Sequence, residues 1–84
     1  MEIDKSKINN FKNIINIGNH NSFNGSINIS YQKLLVYPDE YLDKNKEYLL
    51  ICEYGIKSKK ISEILNRMGY HVYSLKGGFK NIKE

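Results

Sequence analysis

Apolar residues along this 84-residue chain come in short blocks, spaced alternately as strands and as helices. The strongest block, YLLIC at 48–52, is a continuous apolar run of the kind that fills a strand covered on both faces. Ahead of it, the β-branched run NIINIGN, ended by Gly18, reads as a buried strand and turn, and SINI at 26–29 reads as a second short strand. Between these and YLLIC, the segment YQKLLVYPDEYL groups Leu34, Leu35, Tyr37 and Tyr41 around Pro38, which ends one helical piece. Downstream, KKISEILNRM repeats apolar residues at Ile61, Ile64, Leu65 and Met68, the core-facing stripe of an amphipathic helix. Ser58 is placed to cap that helix and Gly69 to stop it. YHVYSL is the last strand, and KGGFKNIKE is a glycine turn into a short terminal helix. At the other end, Ile3, Ile8 and Phe11 have loosely helical spacing with Asp4 or Ser6 as cap, so residues 1–13 are expected to form a short helix or arm.

Strands alternating with helices in so short a chain predict α/β architecture, a small three-layer α/β/α sandwich with a mainly parallel sheet of about four to five strands. With 40% hydrophobic and 12% aromatic residues, residues 1–84 are expected to close around one core as a single domain. No apolar stretch approaches the roughly 20 residues that span a bilayer, and the opening MEIDKSKINN is polar and mixed in charge, unlike a secretory leader. The expected location is the cytosol, without membrane association. A net charge of +4 raises the question of nucleic acid. The lysines, however, are scattered among acids in a chain rich in Lys, Asn, Ile and Tyr, and no binding motif accompanies them, so no nucleic-acid partner is expected. The densest basic run, Lys57, Lys59 and Lys60, lies beside the chain's one cysteine, where it can serve local chemistry.

A single cysteine makes no internal disulfide, and with two well-separated histidines it makes a poor metal site, so no metal is expected. Beside Leu49, Leu50 and Ile51, Cys52 has a bland reading as a small buried hydrophobe. The sequence after it favours another. In parallel sheets the working loops lie at the carboxyl ends of strands, which is where Cys52 falls. The loop of Glu53, Tyr54, Gly55, Ile56, Lys57 and Ser58 is short enough for its amides to curl round the sulfur, and the following helix directs unpaired N–H groups at it. Gly55 suits the positive φ or close approach that such a cradle needs, Lys57 adds a cation at the mouth, and Tyr54 is placed to line it. These surroundings favour the thiolate, the nucleophilic form of cysteine.

YLLICEYGIKSKKISEILNRMGYHVYSLKGGFKNI resembles the C-terminal half of a single-domain rhodanese: a strand ending in Cys, a Cys-x-x-Gly-x-x-Ser/Thr loop, a helix closing in Gly-Tyr, a strand, then Gly-Gly-Phe. Cys52, Gly55, Ser58, Gly69 with Tyr70, and Gly77, Gly78 and Phe79 match those points in order. Upstream, NGSINIS is similar to the family's Gly-Ala-Ile-Asn-Ile-Pro. The resemblance implies sulfurtransferase chemistry, which requires no metal or organic cofactor. Cys52 would take a sulfane sulfur from a small donor anion such as thiosulfate, or from a persulfide or polysulfide, hold it as a persulfide, and pass it to a thiol or protein acceptor. The amides from Glu53 to Ser58 would stabilise both thiolate and persulfide. Gly77 and Gly78 are expected to let the chain pass close to the loop, with Phe79 as a wall.

Departures from the family pattern bear on activity. Where the family has Ile-Ile-Asp-Val-Arg this chain has IINIG, so Asn16 replaces the acid and Gly18 the arginine, a charged pair exchanged for a neutral arrangement. The family's histidine before Ile-Pro-Gly has Ser22 nearest its place, and His20 reads as a solvent-facing loop residue. Glu53 stands where donor-binding members often carry a basic residue, and Lys57 offers a point charge without a bidentate fork. A persulfide donor or protein acceptor is therefore at least as attractive as thiosulfate. A phosphatase would need an arginine at the position of Ser58 to clamp phosphoryl oxygens. The serious alternative is a binding, regulatory or redox- or sulfide-sensing module on the same fold.

Overall fold

The computed structural model describes residues 2–18 and 26–83, with side chains in those ranges up to Lys80. Five strands, β1 (Glu2–Ile3), β2 (Ile14–Asn16), β3 (Ser26–Asn28), β4 (Glu47–Ile51) and β5 (His71–Leu75), form one sheet in the order β1-β5-β4-β2-β3. Every pairing is parallel, with Ile15 opposite Leu50 and Leu50 opposite Ser74 at the centre. Among the described residues the α-helices are α1 (Tyr31–Val36), α2 (Pro38–Tyr41), α3 (Ile56–Arg67) and α4 (Gly78–Lys83), with a 3-10 helix over Lys5–Asn10. The expected three-layer sandwich is the observed one. No helix among the described residues is long and apolar enough to cross a membrane.

Strand period divides the core. Ile15 and Ile17 of the β2 segment, Tyr48, Leu50 and Cys52 of the β4 segment, and Val72 of β5 face Leu34, Leu42, Ile61 and Leu65 in one cluster. Ile14, Leu49, Ile51 and Leu75 face the other way, onto Ile8 with Ile3, Phe11, Tyr73 and Phe79 at its edge. Leu49, Leu50 and Ile51 are fully buried, as the continuous apolar run required. Cys52, one step beyond β4, inherits the parity of Leu50 and so lies on the α3 side.

The N-terminal segment, expected as a short helix or arm capped by Asp4 or Ser6, divides between a strand and a helical turn. Glu2 and Ile3 pair with Ser74 and Leu75 as an edge strand, and only then does the 3-10 turn begin, capped by Asp4, whose carboxylate accepts from Ser6 N at 3.0 Å. Ile3 belongs to the strand because the sheet edge at β5 offers it backbone partners that an isolated helical turn lacks. Pro38 separates α1 from α2 as expected, occupying the first turn of the second helix. Gly69, at φ +100°, ends α3, and Tyr70 N donates back to Leu65 O at 3.1 Å.

One side chain completes the sheet where strands do not. β1 pairs only with Ser74 and Leu75, and the backbone of Val72 is taken instead by Asn66 on α3: Nδ2 donates to Val72 O at 2.8 Å and Oδ1 accepts from Val72 N at 2.9 Å. Replacing Asn66 by Ala leaves both main-chain groups without this partner, so Asn66→Ala is expected to lower unfolding free energy by about 1–3 kcal/mol, read from the urea midpoint at unchanged m-value.

Candidate active site

In the strand order β3 lies beyond β2 and β5 beyond β4, so the departures from the two central strands lead in opposite directions along the sheet. The two departures diverge, opening a crevice at the carboxyl ends of β2 and β4. A cavity of about 810 Å³ occupies it, walled by Asn16, Ile17 and Gly18 at the end of β2, by Asn28 to Gln32 at the end of β3, and by Cys52, Glu53, Tyr54, Ile56, Lys57 and Lys60. Ile17 N donates to Ile51 O and Ile29 N to Asn16 O, so backbone bonding continues past the strand ends and fixes these walls relative to each other.

Cys52 lies at the base, 5% exposed. The loop behind it reverses within three residues, and Gly55 makes that possible: its φ is +85°, and a Cβ there would fall 2.9 Å from Leu75 O and 3.0 Å from the amides of Gly77 and Gly78. The reversal aims two main-chain donors at the sulfur, Gly55 N at 3.2 Å and Ser58 N at 3.3 Å from Sγ. The thiol in turn lies 3.4 Å from Ser58 Oγ, to which it donates, while that hydroxyl donates to Gly55 O. Two amides converging on one sulfur at a helix start form a cradle complementary to negative charge.

Ser58 is thus not the helix cap that its position implied. α3 begins at Ile56 with Gly55 as N-cap, and Ser58 sits inside the first turn, fully buried. The reversal is tighter than a side-chain cap requires, and the serine hydroxyl is turned inward, between the sulfur and the Gly55 carbonyl.

The other expected site residues divide. Tyr54 and Ile56 are 59% and 73% exposed and form the rim, while Glu53 is also exposed at the mouth. Lys57 crosses the opening to Tyr31, its Nζ 4.5 Å from the ring centroid. Lys60 reaches the cavity, whereas Lys59 points to the far edge and pairs with Glu2 at 3.8 Å, so the basic run splits. Asn16 is buried, and its Oδ1 accepts from Gly18 N at 3.0 Å, so the two departures from the family pattern are bonded to each other as a neutral turn. The Phe79 side chain does not wall the cavity: it packs in the cluster on the opposite face, and its amide reaches the loop, donating to Cys52 O at 2.7 Å. His20 and Ser22 lie outside the described residues. The wall from Asn28 to Gln32, Tyr31 included, escaped sequence reasoning, because its approach to Cys52 arises from strand order and leaves no local signal.

A family model described as "Rhodanese-like domain" matches residues 2–84. The chain belongs to the rhodanese-like family. A protein of Coxiella burnetii named thiosulfate sulfurtransferase GlpE is 39% identical over 59 residues, 69% of this chain and 54% of that protein. The putative sulfurtransferase YtwF of Bacillus subtilis is 38% identical over 39 residues, 46% of this chain and 38% of that protein. The matches thus span about half, or less, of the length of these curated relatives. Among solved structures, SSP1007 of Staphylococcus saprophyticus superposes with a TM-score of 0.77 at 23% identity, over 94% of this chain and 89% of that one. An NAD-dependent persulfide reductase from A. fulgidus does so with a TM-score of 0.73 at 25% identity, over 92% of this chain and 15% of that one.

Rhodanese-like membership leaves the cradle's own geometry as the testable feature. Gly55→Ala places a Cβ against main-chain atoms in a left-handed conformation and is expected to cost about 1–3 kcal/mol, measured as a lowered denaturation midpoint.

Proposed function

We propose that the protein is a sulfurtransferase that carries a sulfane sulfur on Cys52. The observation that supports this reading most directly is the convergence of Gly55 N and Ser58 N on Sγ, at 3.2 and 3.3 Å, at the base of an open cavity. In the first half-reaction the Cys52 thiolate attacks the sulfane sulfur of the donor. The Sγ–S bond forms as the donor's S–S bond breaks, and the electron pair leaves with sulfite or with the donor's thiolate. In the second, an acceptor thiolate attacks the outer sulfur and Sγ departs as thiolate, so atoms and electrons balance without an external oxidant. The two amides donate to the sulfur and stabilise negative charge on it in the resting and released states, a preorganised electrostatic contribution.

The mouth speaks to the donor. Lys57 is the cation nearest the loop's start, but it rests on Tyr31, and Glu53 opposes it with a carboxylate at the same opening. A compact dianion such as thiosulfate meets mixed charge there. A persulfide whose body contacts Tyr54, Ile56 and Ile29 gains apolar burial as well, which favours persulfide donors or a protein acceptor.

Mass measurement tests the assignment. After exposure to thiosulfate or polysulfide the intact protein is expected to gain the mass of one sulfur, lose it to cyanide or a thiol, and show no gain as Cys52→Ser. A mass unchanged by either donor, or a transferable sulfur retained by Cys52→Ser, would refute it, the former pointing to the binding or sensing module. Lys57→Ala is expected to raise KM for thiosulfate roughly two- to fivefold with little change in kcat, the size appropriate to one exposed charge.

A further inference from the structure

Glycine at position 78 is bound up with the loop more tightly than the turn that contains it requires. A Cβ at Gly78 would fall on Gly55 N, 2.5 Å from Cys52 O and 2.6 Å from Glu53 O. The first turn of α4 then binds those same carbonyls: Phe79 N donates to Cys52 O at 2.7 Å, and Lys80 N to Glu53 O at 3.0 Å. The first amides of a helix have no partner within it, so these bonds cost α4 nothing. Phe79 anchors the helix from the other side, packed with Ile51, Leu75 and Ile8 in the cluster across the sheet.

The consequence lies at the sulfur. The peptide following Cys52 has its carbonyl drawn onto α4, which leaves the succeeding amides of Gly55 and Ser58 to point at Sγ. Were that carbonyl free to rotate, its oxygen could approach the sulfur and oppose negative charge on it, and the Gly55 amide would lose its fixed aim. We infer that Gly78 and the Phe79 amide are positioning residues for the Cys52 thiol, holding the loop from beneath so that Gly55 N and Ser58 N stay directed at Sγ. This inference rests on the reading of Cys52 as an activated nucleophile, but not on sulfur as its cargo.

Alkylation by iodoacetamide reads the thiol directly, and the chain's one cysteine makes the signal unambiguous. Gly78→Ala and Phe79→Pro are compared with Gly69→Ala. The last also places a side chain at positive φ, +100°, but its Cβ meets only the flexible Lys44 side chain at 3.5 Å and it stands away from the loop. Proline is tolerated in a helix's first turn, so Phe79→Pro deletes the amide that donates to Cys52 O, and Phe79→Ala, which loses the anchoring ring but keeps that amide, separates the two effects and keeps the question open to experiment should Gly78→Ala fail to fold. All four are expected to lower the melting temperature. Only Gly78→Ala and Phe79→Pro are expected to slow alkylation per folded molecule, by roughly tenfold at pH 7. Wild-type alkylation rates in folded Gly78→Ala or Phe79→Pro, with stability losses like that of Gly69→Ala, would overturn the inference. Absence of a sulfur adduct in the wild-type protein, with the alkylation differences intact, would instead reject the cargo and leave the positioning role standing.

Discussion

The reversal of the chain between Cys52 and Ile56 is the constraint from which the rest of the site follows. A strand buried on both faces must hand over to a helix that covers one of them, and here four residues, Cys52 to Gly55, make the connection. So short a connection needs a left-handed residue at Gly55 and leaves no room for a Cβ there, because Leu75 O and the amides of Gly77 and Gly78 already occupy the space. The same economy turns main-chain amides inward onto Sγ, so the geometry that joins β4 to α3 also builds the cradle.

The sheet sets what surrounds that cradle. With the order β1-β5-β4-β2-β3, the segments after β2 and β3 rise on one side of Cys52 while α3 departs on the other. Walls contributed by segments distant in sequence therefore meet over one sulfur. Asn16 and Gly18 illustrate how such a wall adapts: the side chain of one bonds the amide of the other at 3.0 Å, giving the turn a neutral tie of its own. Glu53 and Lys57 likewise share the rim with exposed Tyr54 and Ile56, a mixture of charge and apolar surface suited to something larger than a bare anion.

Much of this was legible in the residues because it is local or periodic. The run YLLIC announced a doubly covered strand, and the apolar spacing announced α3 and Gly69 its end, but only Ile61 and Leu65 of the expected stripe face the core. Ile64 and Met68 are exposed, and Ser58 and Ser62 take the remaining buried positions because the helix turns its small residues toward the sheet. The loop from Cys52 to Ser58 was recognisable as a candidate nucleophile cradle from its composition and its place at a strand end. Where the reading erred, the deciding interaction was not local. Ser58 has the chemistry of a cap, and it became a buried neighbour of the sulfur because Gly55 took the cap position first. Ile3 has helical spacing to Ile8, yet it joins β5 because a sheet edge lay within reach. Phe79 follows two glycines beside the loop, yet its ring lies across the sheet and only its amide attends the site.

The amino-acid sequence by itself determined the α/β alternation, the strand parity that Cys52 shares with Leu50, and the glycine that lets the loop close, since each depends on a residue and its near neighbours. Tertiary structure alone decided which amides reach Sγ, that Tyr31 faces Lys57 over the opening, and that α4 takes up the carbonyls of Cys52 and Glu53. Those relations join segments that have no common pattern along the chain. They arise because a parallel sheet gathers the carboxyl ends of its strands at one edge, whatever their separation in sequence.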